Sequence, residues 1–181
     1  MAQKSTKRTA SQRRLARTHA GGHRPAGHAR PPEDAMQIEL RRTSQAQFQS
    51  IWESSRQGMP LSDEDATTAQ IMREHVEWHA VWDRLGTYGG REIVVDGVSP
   101  ILHITIHGII ENQLAENNPE DLRPVLEALM RQGLDRHEAI HRIATVTTGE
   151  VTAALWDQRP YDAAGYAQRL WELVEPDANA M

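Results

Sequence analysis

Nine histidines occur in the 181 residues, and six of them fall into three pairs spaced i, i+4: His75 and His79, His103 and His107, His137 and His141. Residues four apart on a helix share a face, so each pair can bring two imidazoles to one point. Imidazole is a ligand for first-row divalent metals, and this spacing is metal-ligand geometry. Chance placement of nine histidines in such a chain would give about 0.4 pairs, so three is an excess. A fourth pair, His19 and His23, lies in a Gly-rich basic stretch without apolar periodicity and carries no such reading.

The chain has no cysteine, so thiolate metal sites, disulfides and cysteine nucleophiles are excluded, and a metal here must be held by His and carboxylates. That donor set suits zinc or iron, and also manganese or nickel. Six imidazoles exceed the four ligands of a tetrahedral zinc. Either two metals share the six, with Glu111 as a bridging carboxylate one turn after His107, or three or four His bind a single ion. Positive helix N-termini would keep His103 and His137 neutral and able to ligate. His137-Glu138-Ala139-Ile140-His141 also matches H-E-x-x-H, in which two His hold zinc and the Glu is the general base. Glu138 equally lies three residues after Asp135, the spacing of a reciprocal helix cap. A peptidase of that type packs its helix under a sheet, and this chain shows little strand, so the cap is the favoured reading. Taken singly, each His pair reads as hydrogen-bonded core or surface residues, and only their joint excess favours metal.

The elements that must position these residues read as helices almost throughout. The folded part is expected from near Met36. Helix A covers Ser44 to Arg56, with Phe48, Ile51 and Trp52 on one face. Helix B is capped by Ser62 and runs toward Trp82 and Leu85, carrying His75 and His79 on its inner stripe. Residues 86–98, with Gly89-Gly90 and Asp96-Gly97, read as a loop with one short strand. Ser99-Pro100 starts helix C, whose stripe holds His103, His107, Ile110 and Leu114. Helix D begins at Asn118-Pro119 or slips to Asp121, because Pro124 cannot lie deep in a helix, and it ends at Gly133. Helix E starts at Asp135 and carries His137 and His141 in its first turns, and helix F spans about Tyr161 to Val174. The fold class is therefore all-α, an up-down bundle of five to six helices, and antiparallel neighbours joined by short connections would bring all three His pairs to one end of it. The tryptophans are expected to anchor the core.

Charge is distributed unevenly. Residues 1–32 hold eight Lys and Arg and no acid, while the remainder holds 12 basic and 25 acidic residues, so +8 faces −13 within a net charge of −5. The expected organisation is a disordered basic tail over residues 1–35, a helical metal-binding domain over 36–175 and a polar tail over 176–181. The basic stretch has the composition of a solvated tail with weak electrostatic attraction to RNA or another anionic partner, through residues 1–32. It lacks the aromatics of a single-strand binding arm. Arg13-Arg14 is followed by no apolar region, which argues against export and for a cytoplasmic protein. No run of about 18 apolar residues exists, so no membrane span is expected. Phosphate-binding glycine loops, nucleophile elbows and dinucleotide fingerprints are likewise missing from the sequence.

The run Ser99-Pro100-Ile101-Leu102-His103, with His107, Glu111 and Gln113, then His137-Glu138-Ala139, His141 and Ala154-Leu155-Trp156, resembles the bacterial family known as domain of unknown function 1841. The likeness covers about residues 44–157. It implies that the three pairs belong to one pattern, with Pro usual in the family where this chain has Val76. It implies no activity. Hemerythrin-like and DinB-like metal-binding bundles are similar only at the level of fold. The expectation is thus a His-rich metal-binding bundle, mono- or dinuclear, working as a hydrolytic or redox enzyme on a small molecule. The alternative is a non-enzymatic module with a structural metal or a core His cluster, attached through its basic tail to RNA or another anionic partner.

Overall fold

The computed structural model describes residues 34–156 and 159–174. The chain divides at Pro32 into two units, and every described helix belongs to the second. The basic stretch up to residue 33, the His19–His23 pair and the polar tail from residue 176 lie outside the described residues. Seven α-helices follow in order: α1 (Ala35–Arg56), α2 (Asp63–Glu74), α3 (His79–Trp82), α4 (Pro100–Glu116), α5 (Leu122–Arg131), α6 (Arg136–Trp156) and α7 (Ala163–Glu172). The fold class is all-α, as the sequence implies. No described helix is long and apolar enough to cross a membrane.

Helix starts follow the capping residues. Ser62 accepts a hydrogen bond from the Asp65 N–H at 3.1 Å, and three acids in the first turn of α2 complement its dipole. Ser99 accepts from Leu102 N–H, with Pro100 in the first helical turn of α4. α5 begins after Asp121, so Pro124 falls in the first turn, where no intrahelical donor is lost. At its far end Gly133 takes φ +102°.

Three expectations are corrected. α1 begins at Ala35, more than two turns before Ser44, capped by Asp34, whose carboxylate accepts from Met36 N–H at 2.7 Å. The extension is fastened to the 86–98 loop: Gln45 accepts from Gly90 N–H at 2.8 Å and donates to Arg91 O at 2.7 Å, while Arg41 donates to Gly90 O. Gly90 has φ +83°, and a Cβ there would lie 2.6 Å from Ile38 O, so the close approach requires glycine. The loop itself contains no strand among the described residues, only an isolated bridge between Val95 and Val98 across the Asp96-Gly97 turn. The third correction concerns helix B. It is not continuous, because α2 ends at Glu74 and His75 adopts φ −94°, ψ 70°, after which a 3-10 turn over Val76–Trp78 leads into α3.

Two apolar cores share α4. One joins Phe48, Ile51 and Trp52 of α1 to Ile71 and Met72 of α2, Trp78, Trp82 and Ile104. The other joins Ile106, Ile110 and Leu114 of α4 to α5, α6 and α7 through Leu122, Leu129, Ile140, Ile143, Tyr166 and Leu170. α4 packs against both α2 and α6, which explains why its Ile residues occur around the whole helix rather than on one stripe. The imidazoles lie on α4, at the end of α2 and at the start of α6, where the two cores meet.

Candidate metal centre

Five of the six paired imidazoles pack together. His75 leaves the end of α2, His103 and His107 stand one turn apart on α4, and His137 and His141 occupy the first turns of α6. Ring centroids of His75 lie 4.7 Å from His103, 4.9 Å from His107, 4.7 Å from His137 and 5.6 Å from His141. One ring nitrogen from each of His75, His103, His107 and His141 lies within 4.8 Å of the other three, and this set could hold a metal ion.

The nitrogens face inward. Nε2 of His75 is 2.9 Å from Nε2 of His103 and 3.4 Å from Nε2 of His141, and the last two are 3.2 Å apart. These three form a near-equilateral triangle. A metal bonded to nitrogen at about 2.0–2.1 Å has ligand separations of about 3.3–3.4 Å when tetrahedral, and about 2.9–3.0 Å between neighbours when octahedral. The triangle spans those two values. The fourth ring, His107, has its Nε2 buried without a hydrogen-bond partner, a cost that a metal ion would offset.

Protonation supports the same use. The ring Nδ1 of His75 is 2.8 Å from Ile71 O, a carbonyl that can only accept. Neutral His75 therefore carries its proton on Nδ1 and directs the Nε2 lone pair into the triangle, as metal-bound histidines held by a backbone carbonyl do. Burial lowers the affinity of these rings for a second proton, and the neighbouring imidazoles add to the effect: His107 falls to about 2 and His103 to about 4. For His75 and His141 burial again acts first, with His137 lowering both further. At neutral pH all four are neutral, with lone pairs free for a cation.

Other residues singled out from the sequence are placed differently. His79 begins α3, its ring 4.9 Å from that of Trp52 and its Nε2 donating to Arg73 O at 3.1 Å, so the helix break at His75 separates the first pair. Glu111 takes both guanidinium nitrogens of Arg136 at 2.7 Å. Glu138 and Asp135 form the reciprocal cap: Asp135 N–H donates to the Glu138 carboxylate at 3.1 Å, and Glu138 N–H to Asp135 at 2.8 Å. His137 packs against His141 at 4.3 Å between centroids, with its Nδ1 3.6 Å from the Glu74 carboxylate.

Three neighbours escaped the sequence reading. Trp78, expected only as core, lies flat on His75 at 5.1 Å between centroids and 5° between planes, and edge-on to His103 at 4.8 Å. Glu74 and Arg136 each directly precede a cluster histidine, and that adjacency was the available signal. The centre has two approaches. An apolar cleft of about 450 Å³ reaches His103 and His141, and a smaller pocket of about 130 Å³, bordered by Ile71 and Ile140 as well as Glu74, Glu111, Arg136 and His137, reaches His107.

A helical fold with a partly buried cluster of histidines defines the class: an all-α protein with four imidazoles that could hold a metal ion. The chain belongs to the family described as a domain of unknown function, DUF1841, whose model matches residues 40–172. No curated protein and no solved structure matches it.

Proposed function

We propose that the protein is a metalloprotein in which His75, His103, His107 and His141 hold one first-row divalent ion, zinc or iron before manganese or nickel, for a hydrolytic or redox reaction. The observation that carries the reading is the Nε2 triangle of 2.9, 3.2 and 3.4 Å. Three imidazole nitrogens with their lone pairs converging at that distance repel one another unless a proton or a cation lies between them. Neutral tautomers can place a proton between some of these nitrogens but not between all three pairs at once, whereas a divalent ion satisfies the three together with the orphaned His107 Nε2. His137 is a fifth imidazole beside the four, with Glu74 at its outer edge. Glu138 serves α6 as a cap rather than the reaction as a base.

A catalytic use is supported by access. His75 and His107 are buried, but His103 and His141 are only half-buried and border the cleft, so an ion that expands beyond four ligands has a route to a further one. A structural role is supported by a different observation, the origin of the ligands on α2, α4 and α6, which one ion would tie together. The basic stretch, +8 over residues 1–32, would in that reading attach the domain to RNA or another anionic partner.

The test is elemental analysis of protein purified without a polyhistidine tag. About one equivalent of a single metal is expected, lost in the His103→Ala/His107→Ala double variant. A metal-free protein that takes up none of the four metals on reconstitution would overturn the proposal. Unfolding on chelation would favour the structural role, and a stable metal-free fold the catalytic one.

A further inference from the structure

Resting on the metal centre proposed above, we infer that the cleft beside it takes an apolar-bodied monoanion: a small molecule whose single oxyanion, such as a carboxylate, ligates the metal while its carbon chain lies along α4 and α6. The inference starts from which ligands face outward. His103 and His141 both line the cleft and His107 and His75 do not, so a further ligand to the ion arrives from the side of those two rings.

The walls define the body of that ligand. Leu102 and Ile106 from α4 and Ala144 from α6 present carbon, Ser99, Thr145 and Thr148 add hydroxyls, and no Lys, Arg, Asp or Glu borders the cleft. The volume of about 450 Å³ lies within the range of small-molecule sites. A second charge along the chain would lose its hydration with no counter-charge in reach, which such a wall rejects. At the floor the situation reverses. Four neutral imidazoles leave a divalent ion with its full charge of about +2 in a partly buried site, where it is the largest local charge and favours an anionic donor. The exposed apolar side chains Val98 and Leu102 stand at the same cleft, as the mouth of such a site would require.

The experiment uses the full chain loaded with cobalt(II), titrated with acetate, butyrate, hexanoate and adipate while the visible spectrum of the metal is followed. Affinity should rise about three- to fourfold per added CH₂ until the cleft is filled. Adipate, as long as hexanoate but with a second carboxylate, should bind at least tenfold more weakly than hexanoate. In Ala144→Phe the dependence on chain length should vanish while acetate still binds. Leu102→Asp, at an exposed position that does not threaten folding, should weaken hexanoate tenfold or more with cobalt content unchanged. Cobalt bound with affinities independent of chain length, or adipate equal to hexanoate, overturns this inference and leaves the metal centre standing. Failure to take up cobalt overturns the centre and the inference with it.

Discussion

Lowering the pH of the metal-free protein should destabilise it through the histidine cluster. In the unfolded chain His103 and His107 take a proton near pH 6.5. In the folded chain burial holds His103 back to about pH 4 and His107 to about pH 2. Both pKa values are lower when folded, so their contribution to stability is complete above pH 6.5 and is lost as the pH falls from there toward the folded values. At pH 5.5 each withheld proton costs about 1.4 kcal/mol, or about 2.8 kcal/mol for the two. Water reaching the half-exposed His103 screens its share, which brings the expected loss to about 2 kcal/mol. Urea unfolding of chelator-treated protein at pH 7.5 and 5.5 measures it, and the His103→Gln/His107→Gln variant, uncharged at both, isolates the contribution. The variant should lose about 2 kcal/mol less than the natural chain. Equal losses in the two proteins would refute the claim that these rings are held neutral by the fold.

Three further outcomes are expected. Glu138→Ala should cost about 1 kcal/mol in urea unfolding, the worth of a helix cap, with metal content unchanged; loss of metal would contradict the capping role. Gly90→Ala should lower stability by about 1–3 kcal/mol, since a Cβ at φ +83° meets Ile38 O, and an unaltered melting temperature would show that α1 does not depend on this loop. Leu129→Ala empties a fully buried position in the second core and should cost about 2–5 kcal/mol, measured in the same way.

Much of the site was legible because helix starts and histidine spacing are local signals. Ser99-Pro100 and Asp135 fixed where α4 and α6 begin, and that placed two pairs on inward faces. The first pair was not legible as it is built. Nothing between Ser62 and Leu85 is Gly or Pro, so the apolar period runs on unbroken, yet α2 stops at His75. No residue in that stretch marks the break locally. Val76 opens a 3-10 segment whose Trp78, with Trp82 beyond it, is buried in the first core, so tertiary packing overrides local preference. Glu111 was a fair candidate by spacing alone. Its capture by Arg136 depends on how α4 meets α6, a long-range arrangement that no one-dimensional pattern encodes.

The indole of Trp78, lying flat on His75, makes the centre optically readable. Among the described tryptophans it is the one in ring contact with the four-nitrogen cluster, while Trp52 lies against His79 and Trp171 donates to Asp121 near the surface. Any ion drawn into the cluster would stand next to an emitting ring, so occupancy, exchange and ligand arrival can be followed by intrinsic fluorescence in the unlabelled chain, with Trp78→Phe as the silent control.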